Sequence, residues 1–110
     1  MSSNVADAIA YTSYVQGVNT VTSLTNIPVD KRLVIASISG NGSLTLKTTP
    51  SVGREVHVII KNNSSSDIAV TLPNSGNYVN TLDSVMTVGA NSYGEINFIS
   101  DGNIIYIKYI

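Results

Sequence analysis

The residue best suited to chemistry in this chain is His57, the only histidine among its 110 residues. His57 alternates with Glu55 and Lys61 on a predicted strand, so these three side chains share one face of it. A glutamate beside a histidine can tune the protonation of the imidazole, but a single histidine cannot build a histidine-based metal site. We therefore interpret His57 as an outward-facing strand residue or an interface contact.

The carboxylates are scattered in a way that argues against an enzyme. A glycosidase holds two carboxylates across a cleft, whereas Asp83 and Glu95 would meet only by an accident of folding and Asp101 belongs to an Asp-Gly turn. The chain has no nucleophile elbow, phosphate-binding loop or dinucleotide fingerprint, and it has no cysteine for thiol chemistry or metal binding. We predict a protein that is not an enzyme and that uses no metal or cofactor.

Sugar recognition is a second kind of chemistry that the sequence allows. Sugar sites on β-sandwiches stack the ligand on an exposed tyrosine or tryptophan, and this chain has six tyrosines and no tryptophan. The predicted glycan contacts are Tyr78, Tyr93, Asn77 and Asn80. The alternative is that these tyrosines pack in the fold and that the asparagines form turns.

The composition limits the partners of the chain. Charged residues make up 12% of it and the net charge is −1, and Lys31-Arg32 is the only basic cluster, so we expect no nucleic-acid partner. No apolar run is long enough to span a membrane, and the N-terminus does not resemble a signal peptide. We expect synthesis in a cytoplasm and close protein–protein contacts through polar, uncharged surfaces.

The elements that must position these residues are short strands. From residue 20 onward, alternating apolar runs are separated by turns rich in Gly, Asn and Ser, which is typical of an all-β fold. We predict a small antiparallel β-sandwich or jelly roll over residues 20–110, preceded by a short N-terminal arm at 1–19. The predicted strands, about eight, cover residues 20–26, 33–39, 43–47, 55–61, 67–72, 84–88, 93–99 and 103–109.

Two turn motifs predict specific strand pairs. Gly40-Asn41-Gly42 predicts a hairpin between residues 33–39 and 43–47, and Asp101-Gly102 predicts a hairpin between the last two strands.

The last strand is apolar on both of its faces. An antiparallel strand with one solvated face should be polar on that face, but here both rows carry Ile and Tyr, interrupted only by Lys108. We therefore expect a second subunit to cover the row that does not meet the core, although this chain's own arm is an alternative cover. The predicted subunit interface consists of Ile104, Tyr106, Ile110 and Ile59.

The N-terminal arm carries aromatic and β-branched residues that suit docking on a neighbouring subunit or a larger assembly. The alternative is a frayed terminus. The predicted anchor residues are Ile9, Tyr11, Tyr14 and Val15.

Three segments carry a resemblance to a known family. They are Val-Gly-Arg-Glu-Val-His-Val-Ile-Ile-Lys-Asn-Asn-Ser-Ser at residues 52–65, Ile-Ala-Val-Thr-Leu-Pro at 68–73, and Gly-Glu-Ile-Asn-Phe-Ile-Ser-Asp-Gly at 94–102, followed by Tyr106-Ile107. Together they resemble the β modules of tailed-bacteriophage appendage proteins, that is head-fibre, capsid-decoration and tail-fibre domains, including those of phages that infect gut Bacteroides-type bacteria. The resemblance covers about residues 20–110.

The resemblance implies a homotrimer whose N-terminal segment attaches to the virion, and it implies that the strand of 55–61 pairs with the strand of 68–72. It makes the chain a non-enzymatic virion structural protein, a capsid-decoration or head-fibre component that is assembled in the host cytoplasm and contacts other virion proteins such as the major capsid protein. The alternative is a carbohydrate- or receptor-binding tail-fibre tip with a host surface glycan as its partner. Since only residues 1–19 precede the domain, the chain departs from long fibres in lacking a shaft.

Overall fold

A computed structural model describes residues 17–109, and these residues form nine β-strands and no helix. The predicted all-β sandwich is confirmed: a six-stranded sheet faces a three-stranded sheet across one core. Ile9, Tyr11, Tyr14 and Val15 of the predicted anchor, and Ile110 of the predicted interface, lie outside the described residues. The strands are β1 Val18–Val21, β2 Leu33–Ile38, β3 Gly42–Ser43, β4 Glu55–Asn62, β5 Ile68–Thr71, β6 Tyr78–Asn80, β7 Val85–Val88, β8 Tyr93–Ser100 and β9 Ile105–Tyr109.

The pairing of the strands is mixed, and this corrects the expectation of an antiparallel fold. The large sheet has the order β1-β2-β4-β8-β9-β6, and the small sheet has the order β3-β5-β7. Of the seven ladders between the described strands, β4/β8, β5/β7 and β8/β9 are antiparallel, while the other four are parallel. β1 begins at Val18, so the first ladder includes two residues that the sequence assigns to the arm.

Three of the four parallel ladders, β1/β2, β2/β4 and β3/β5, arise because the first half of the chain forms β-arches rather than hairpins. In a β-arch the two strands that flank a turn lie in opposite sheets, whereas in a hairpin they pair with each other. The predicted hairpin at Gly40-Asn41-Gly42 is wrong: β2 pairs with β1 and β4 in the large sheet, while β3 pairs with β5 in the small sheet. Ile38 before this turn and Leu44 after it are both buried, so the two arms of the arch face each other across the core. The pairing of residues 55–61 with 68–72 is wrong for the same reason, because β4 and β5 lie in different sheets.

Successive arches stack in register. Leu33 of β2 lies beside His57 of β4, and Gly42 of β3 lies beside Val70 of β5. The side chain of Asn41 ties one arch to the next, since its Oδ1 accepts a hydrogen bond of 2.8 Å from the N–H of Ala69. A chain that repeats the same arch in the same direction must pair its strands in parallel.

The hairpin between β8 and β9 is confirmed. Asp101 Oδ1 accepts hydrogen bonds from the N–H groups of Ile104 (2.6 Å) and Asn103 (2.9 Å), and Gly102 adopts a φ of 92°, which suits glycine. The N–H of Ile104 contributes most, followed by that of Asn103, to holding the pKa of Asp101 below its ordinary value of 3.8. The turn therefore favours the ionised carboxylate.

The core lies between the two sheets and contains the inward-facing residues of nearly every strand. Phe98 is fully buried at its centre, and the ring of Tyr78 packs against it edge-on with a centroid distance of 6.3 Å. Gly94 makes room for the small sheet, because a Cβ at this position would come within 3.1 Å of Met86 Cε. The stretch 73–81, which is not among the strands predicted from the sequence, contains β6, a three-residue strand that pairs in parallel with β9.

Asn62 is a polar residue inside this core, with only 1% of its surface exposed. Its Nδ2 donates to the carbonyl oxygens of Ser66 (2.8 Å), Val88 (3.1 Å) and Gly89 (3.1 Å). Its Oδ1 accepts from the N–H (2.9 Å) and the hydroxyl (2.8 Å) of Ser64. Asn62 thus joins the turn after β4 to the end of β7 with its hydrogen-bonding groups satisfied.

Candidate functional site

The surface with the most chemical variety is the outer face of the large sheet, which we define as the side chains that point away from the core. Alternation along each strand fixes its members, and strand register sets them in cross-strand rows. They are Val18 and Thr20 on β1; Leu33, Ile35 and Ser37 on β2; Glu55, His57, Ile59 and Lys61 on β4; Tyr93, Glu95, Asn97 and Ile99 on β8; Tyr106 and Lys108 on β9; and Val79 on β6.

A polar row crosses the middle of the outer face. Lys108, Asn97 and His57 lie side by side on β9, β8 and β4. His57 Nε2 lies 3.1 Å from Glu95 Oε1, so the carboxylate that holds the imidazole comes from the neighbouring strand. Glu55, the neighbour along the sequence, instead accepts a hydrogen bond of 2.9 Å from Asn97 Nδ2.

These cross-strand contacts fix the orientations of His57 and Asn97 on a surface where side chains usually move freely. Asn97 is only 8% exposed although it points away from the core, and His57 and Glu95 are each about two-thirds covered, with 28% and 31% of their side-chain surfaces exposed. The middle of the outer face is therefore a preformed polar floor.

Apolar side chains lie at one edge of the outer face. Val79 on β6 lies directly beside Tyr106 on β9, and these two side chains are 42% and 45% exposed. Ile99 on β8, half-buried, continues the same row. We call these three residues the Val79–Tyr106 patch.

A shallow cavity of about 390 Å³ crosses the polar row, and we call it the basic groove. Its lining residues are Arg32, His57, Asn97, Lys108 and Tyr109. No carboxylate is among them. The side chains of Arg32 and Lys108 form no hydrogen bond or ion pair with any residue in the described range 17–109.

The predicted interface residues do not form a single patch on the outer face. Tyr106 is exposed, and Ile104 is half-buried just before β9. Ile59 is half-buried on the same outer face, but the polar row lies between it and the row of Tyr106. Tyr106 and Ile104 can therefore contribute to one contact, whereas Ile59 belongs to a different part of the face.

Three of the four predicted glycan contacts have structural roles. Tyr78 accepts a hydrogen bond of 2.9 Å from the N–H of Leu46 at its hydroxyl and packs on the core. Asn77 Nδ2 donates to Thr49 Oγ1 (2.7 Å) and to the carbonyl of Asn103 (3.0 Å). Asn80 is 9% exposed, and its Oδ1 accepts a hydrogen bond of 2.8 Å from the N–H of Leu82, while its Nδ2 has no partner within residues 17–109.

Tyr93, the fourth predicted glycan contact, lies far from the other three. It is 66% exposed at the start of β8. Tyr78 lies beside Ile105 of β9, and Ile105 lies beside Ser100 at the opposite end of β8. At about 3.4 Å per residue, the length of β8 separates the two tyrosines by more than 20 Å. The structure does not bring the four residues together.

The residues of the basic groove were not identified from the sequence, apart from His57. Their only local signal is that Glu55 and His57, and likewise Glu95 and Asn97, stand two positions apart on predicted strands. Arg32 and Lys108 join them only through the register of β2, β4, β8 and β9. This register is a property of the whole fold.

Within residues 17–109, no group of three or more His, Cys, Asp or Glu side chains could hold a metal ion. No helix in this range is long and apolar enough to cross a membrane. The chain matches no protein-family model, no curated protein and no solved structure. Inference about its function therefore depends on the geometry of the outer face and on the sequence resemblance.

Proposed function

We propose that the chain is a non-enzymatic structural component of a bacteriophage particle, a capsid-decoration or head-fibre protein that works as a homo-oligomer, expected to be a trimer. The observation that carries the proposal is the Val79–Tyr106 patch. Two large apolar side chains there are neighbours in register and nearly half-exposed. Contiguous exposed apolar surface marks protein–protein contacts when it extends over a few hundred Å², so we expect these two side chains to be the centre of a larger contact.

The energetics favour a contact that extends beyond these two side chains. Fully burying an exposed side chain of this size gains on the order of 1.5–3 kcal/mol. Val79 and Tyr106 are already more than half covered, so covering the rest of each gains about 1 kcal/mol, while association costs several kcal/mol before any surplus appears. Ile99 and Ile104, both half-buried, adjoin Tyr106 and can extend the contact. The low charge of the chain, 12%, reduces the cost of removing such a surface from water.

The virion role is supported by the resemblance of residues 20–110 to the β modules of phage appendage proteins. In this proposal the domain is displayed on the particle surface and the arm at 1–19 attaches it to other virion proteins, such as the major capsid protein.

Light scattering at several protein concentrations tests the oligomer. The expected mass is three times that of the 11.6 kDa chain, and we expect Val79→Ser and Tyr106→Ser to lower it. Val85→Ser is the matched control, because Val85 is 44% exposed but lies on the small sheet. A chain that is monomeric at every concentration contradicts the oligomer, and so does an equal effect of the control.

Quantitative mass spectrometry of purified particles of the encoding phage tests the virion role. We expect the chain in a fixed ratio to the major capsid protein. If the chain is abundant in infected cells but absent from washed particles, the virion role is wrong. Deleting residues 1–16, which leaves β1 complete, should abolish incorporation without changing the unfolding curve.

The second candidate function is a carbohydrate- or receptor-binding module. One observation favours it: the basic groove gathers cationic, amide and aromatic side chains in one cavity. The predicted glycan residues give it less support, since most of them have structural roles.

A further inference from the structure

We propose that the basic groove binds a saccharide that carries a carboxylate, such as a uronic acid. The proposal specifies the ligand class of the second candidate function. It does not depend on the chain being a virion component or an oligomer.

The charge of the groove points to an anionic ligand. Arg32 and Lys108 both line the cavity, and neither side chain has a partner among residues 17–109. Lys108 is one end of the polar row and Arg32 lies beyond its other end, about three strand spacings or roughly 14 Å away. A carboxylate bound by either cation forms a charge-assisted hydrogen bond, which is about twice as strong as a neutral one.

The two nearest carboxylates lie outside the cavity, and each contacts a floor residue. Glu95 contacts His57 at 3.1 Å, and Glu55 accepts from Asn97 at 2.9 Å. Neither glutamate lines the cavity. Their effect is to fix the orientation of the floor, which is the arrangement that a preorganised binding site requires.

The floor favours a polyol over a simple anion. His57 uses Nε2 for Glu95, and Asn97 uses Nδ2 for Glu55, which leaves Nδ1 of His57 and Oδ1 of Asn97 without partners in the described range. Asn97 Oδ1 is an acceptor, so it needs a ligand that donates a hydrogen bond. A sugar hydroxyl donates and accepts, whereas acetate or another simple carboxylate only accepts.

An aromatic residue borders the same cavity. Tyr109, 42% exposed at the end of β9, lines the cavity from its rim, since alternation along β9 sets it in the row of Ile96 and not on the outer face. The part of Tyr109 that meets the cavity can pack against the apolar C–H face of a sugar ring. The volume of about 390 Å³ lies within the usual range of small-molecule sites, about 300–1,000 Å³. Cation, amide and aromatic groups together match the carboxylate, hydroxyls and C–H face of an acidic sugar.

The test is a titration of the full chain with a galacturonate disaccharide, in which binding is monitored by two-dimensional amide NMR. The comparison ligands are the neutral galactose disaccharide, which has CH₂OH in place of each carboxylate, and acetate alone. We expect saturable shifts at Arg32, His57, Asn97 and Lys108 with a Kd of about 1 mM or tighter. Neutral sugar and acetate should bind at least about tenfold more weakly, because each lacks one of the two kinds of contact.

Two variants distinguish binding at the basic groove from nonspecific attraction of anions to the protein surface. Lys108→Gln and the control Lys61→Gln remove the same charge from the same outer face, but Lys61 does not line the groove. Lys108→Gln should weaken binding of the acidic disaccharide about tenfold, and Lys61→Gln should change it less than about twofold. Arg32→Gln should behave like Lys108→Gln, and unchanged unfolding curves should show that all three variants fold.

The proposal is overturned if the acidic disaccharide gives no saturable binding, if acetate binds as well as the disaccharide, or if both lysine variants weaken binding equally. The same samples are measured by light scattering. If Lys108→Gln changes the mass of the assembly and the sugar does not bind, the groove receives an acidic side chain of a second copy instead. If light scattering shows only monomers, the proposal still predicts that the monomer binds the acidic disaccharide.

Discussion

Replacing Asn62 by alanine should be among the most damaging single polar substitutions in the described part of this domain. The side chain is 1% exposed, and it donates to the carbonyls of Ser66, Val88 and Gly89 while accepting twice from Ser64. Alanine removes one donor from each carbonyl and leaves the N–H of Ser64 without its acceptor. The carbonyls of Ser66 and Gly89 keep a second donor, the Ser64 hydroxyl (2.8 Å) and the Ser92 N–H (3.1 Å). Because the carbonyls belong to two different turns, the substitution separates the end of β4 from the end of β7.

The magnitude follows from the hydrogen bonds. Two N–H hydrogens and one carbonyl oxygen of Asn62 serve five contacts, which is equivalent to about three full hydrogen bonds. At about 1 kcal/mol each, the loss is on the order of 3 kcal/mol, out of roughly 5–15 kcal/mol for a domain of this size. With a urea dependence of about 1–3 kcal/mol per molar, the unfolding midpoint should fall by roughly 1–3 M.

Equilibrium urea unfolding measures this effect, with Asn63→Ala as the matched control. Asn63 is the next residue and is exposed, so its substitution should change the free energy of unfolding by less than about 0.5 kcal/mol. Asn62→Asp keeps the shape but turns a carboxylate toward three carbonyl oxygens, which raises the pKa of the introduced group. The stability of that variant should therefore recover as pH falls. If Asn62→Ala and Asn63→Ala have the same midpoint, the network contributes no net stability and the reasoning is refuted.

Three further predictions concern the β8–β9 hairpin and the core. The folded-state pKa of Asp101 is lowered, so its carboxylate contributes stability that is present above about pH 4 and is lost as pH falls through the folded pKa. The unfolding temperature of Asp101→Asn should therefore be lower than that of the wild type at neutral pH, and the two temperatures should converge in acid. Gly94→Ala, close to Met86, should cost about 1 kcal/mol or more, whereas Gly40→Ala, with open space around it, should cost almost nothing in the same urea assay. Phe98→Ala should cost about 3–5 kcal/mol, and a smaller loss would mean that the core is less tightly packed than its burial indicates.

Local alternation was sufficient to locate most strands. Residues 33–39, 55–61 and 93–99 correspond to β2, β4 and β8 within one residue at each end, because each of these segments buries every second side chain. For residues 55–61 the same pattern placed His57 on the outward face, where the structure has it, between buried Val56 and Val58. It missed β6, since Pro73 and Gly76 interrupt the surrounding stretch and three residues are too few to show a period.

Strand partners could not be predicted in the same way. A hairpin and an arch have the same alternation and the same turn residues; they differ in whether the two arms share a sheet or face each other across the core. Gly40-Asn41-Gly42 suits either, and what favours the arch is distant: Asn41 bonds to the N–H of Ala69, on the next arch. The Asp101-Gly102 turn was predicted correctly because its own side chain supplies its hydrogen bonds.

The position of β9 also decides what kind of contact the outer face can make. β9 lies between β8 and β6, so its backbone hydrogen bonds are directed to strands of its own sheet, and Tyr106 can meet a partner only through its side chain. At this side of the sheet the edge strand is β6, which has three residues, and short edge strands are poor templates for adding another strand. A second subunit at the Val79–Tyr106 patch should therefore pack face against face. Its binding should depend on the side chains of Val79 and Tyr106, so Val79→Ser and Tyr106→Ser should each weaken it.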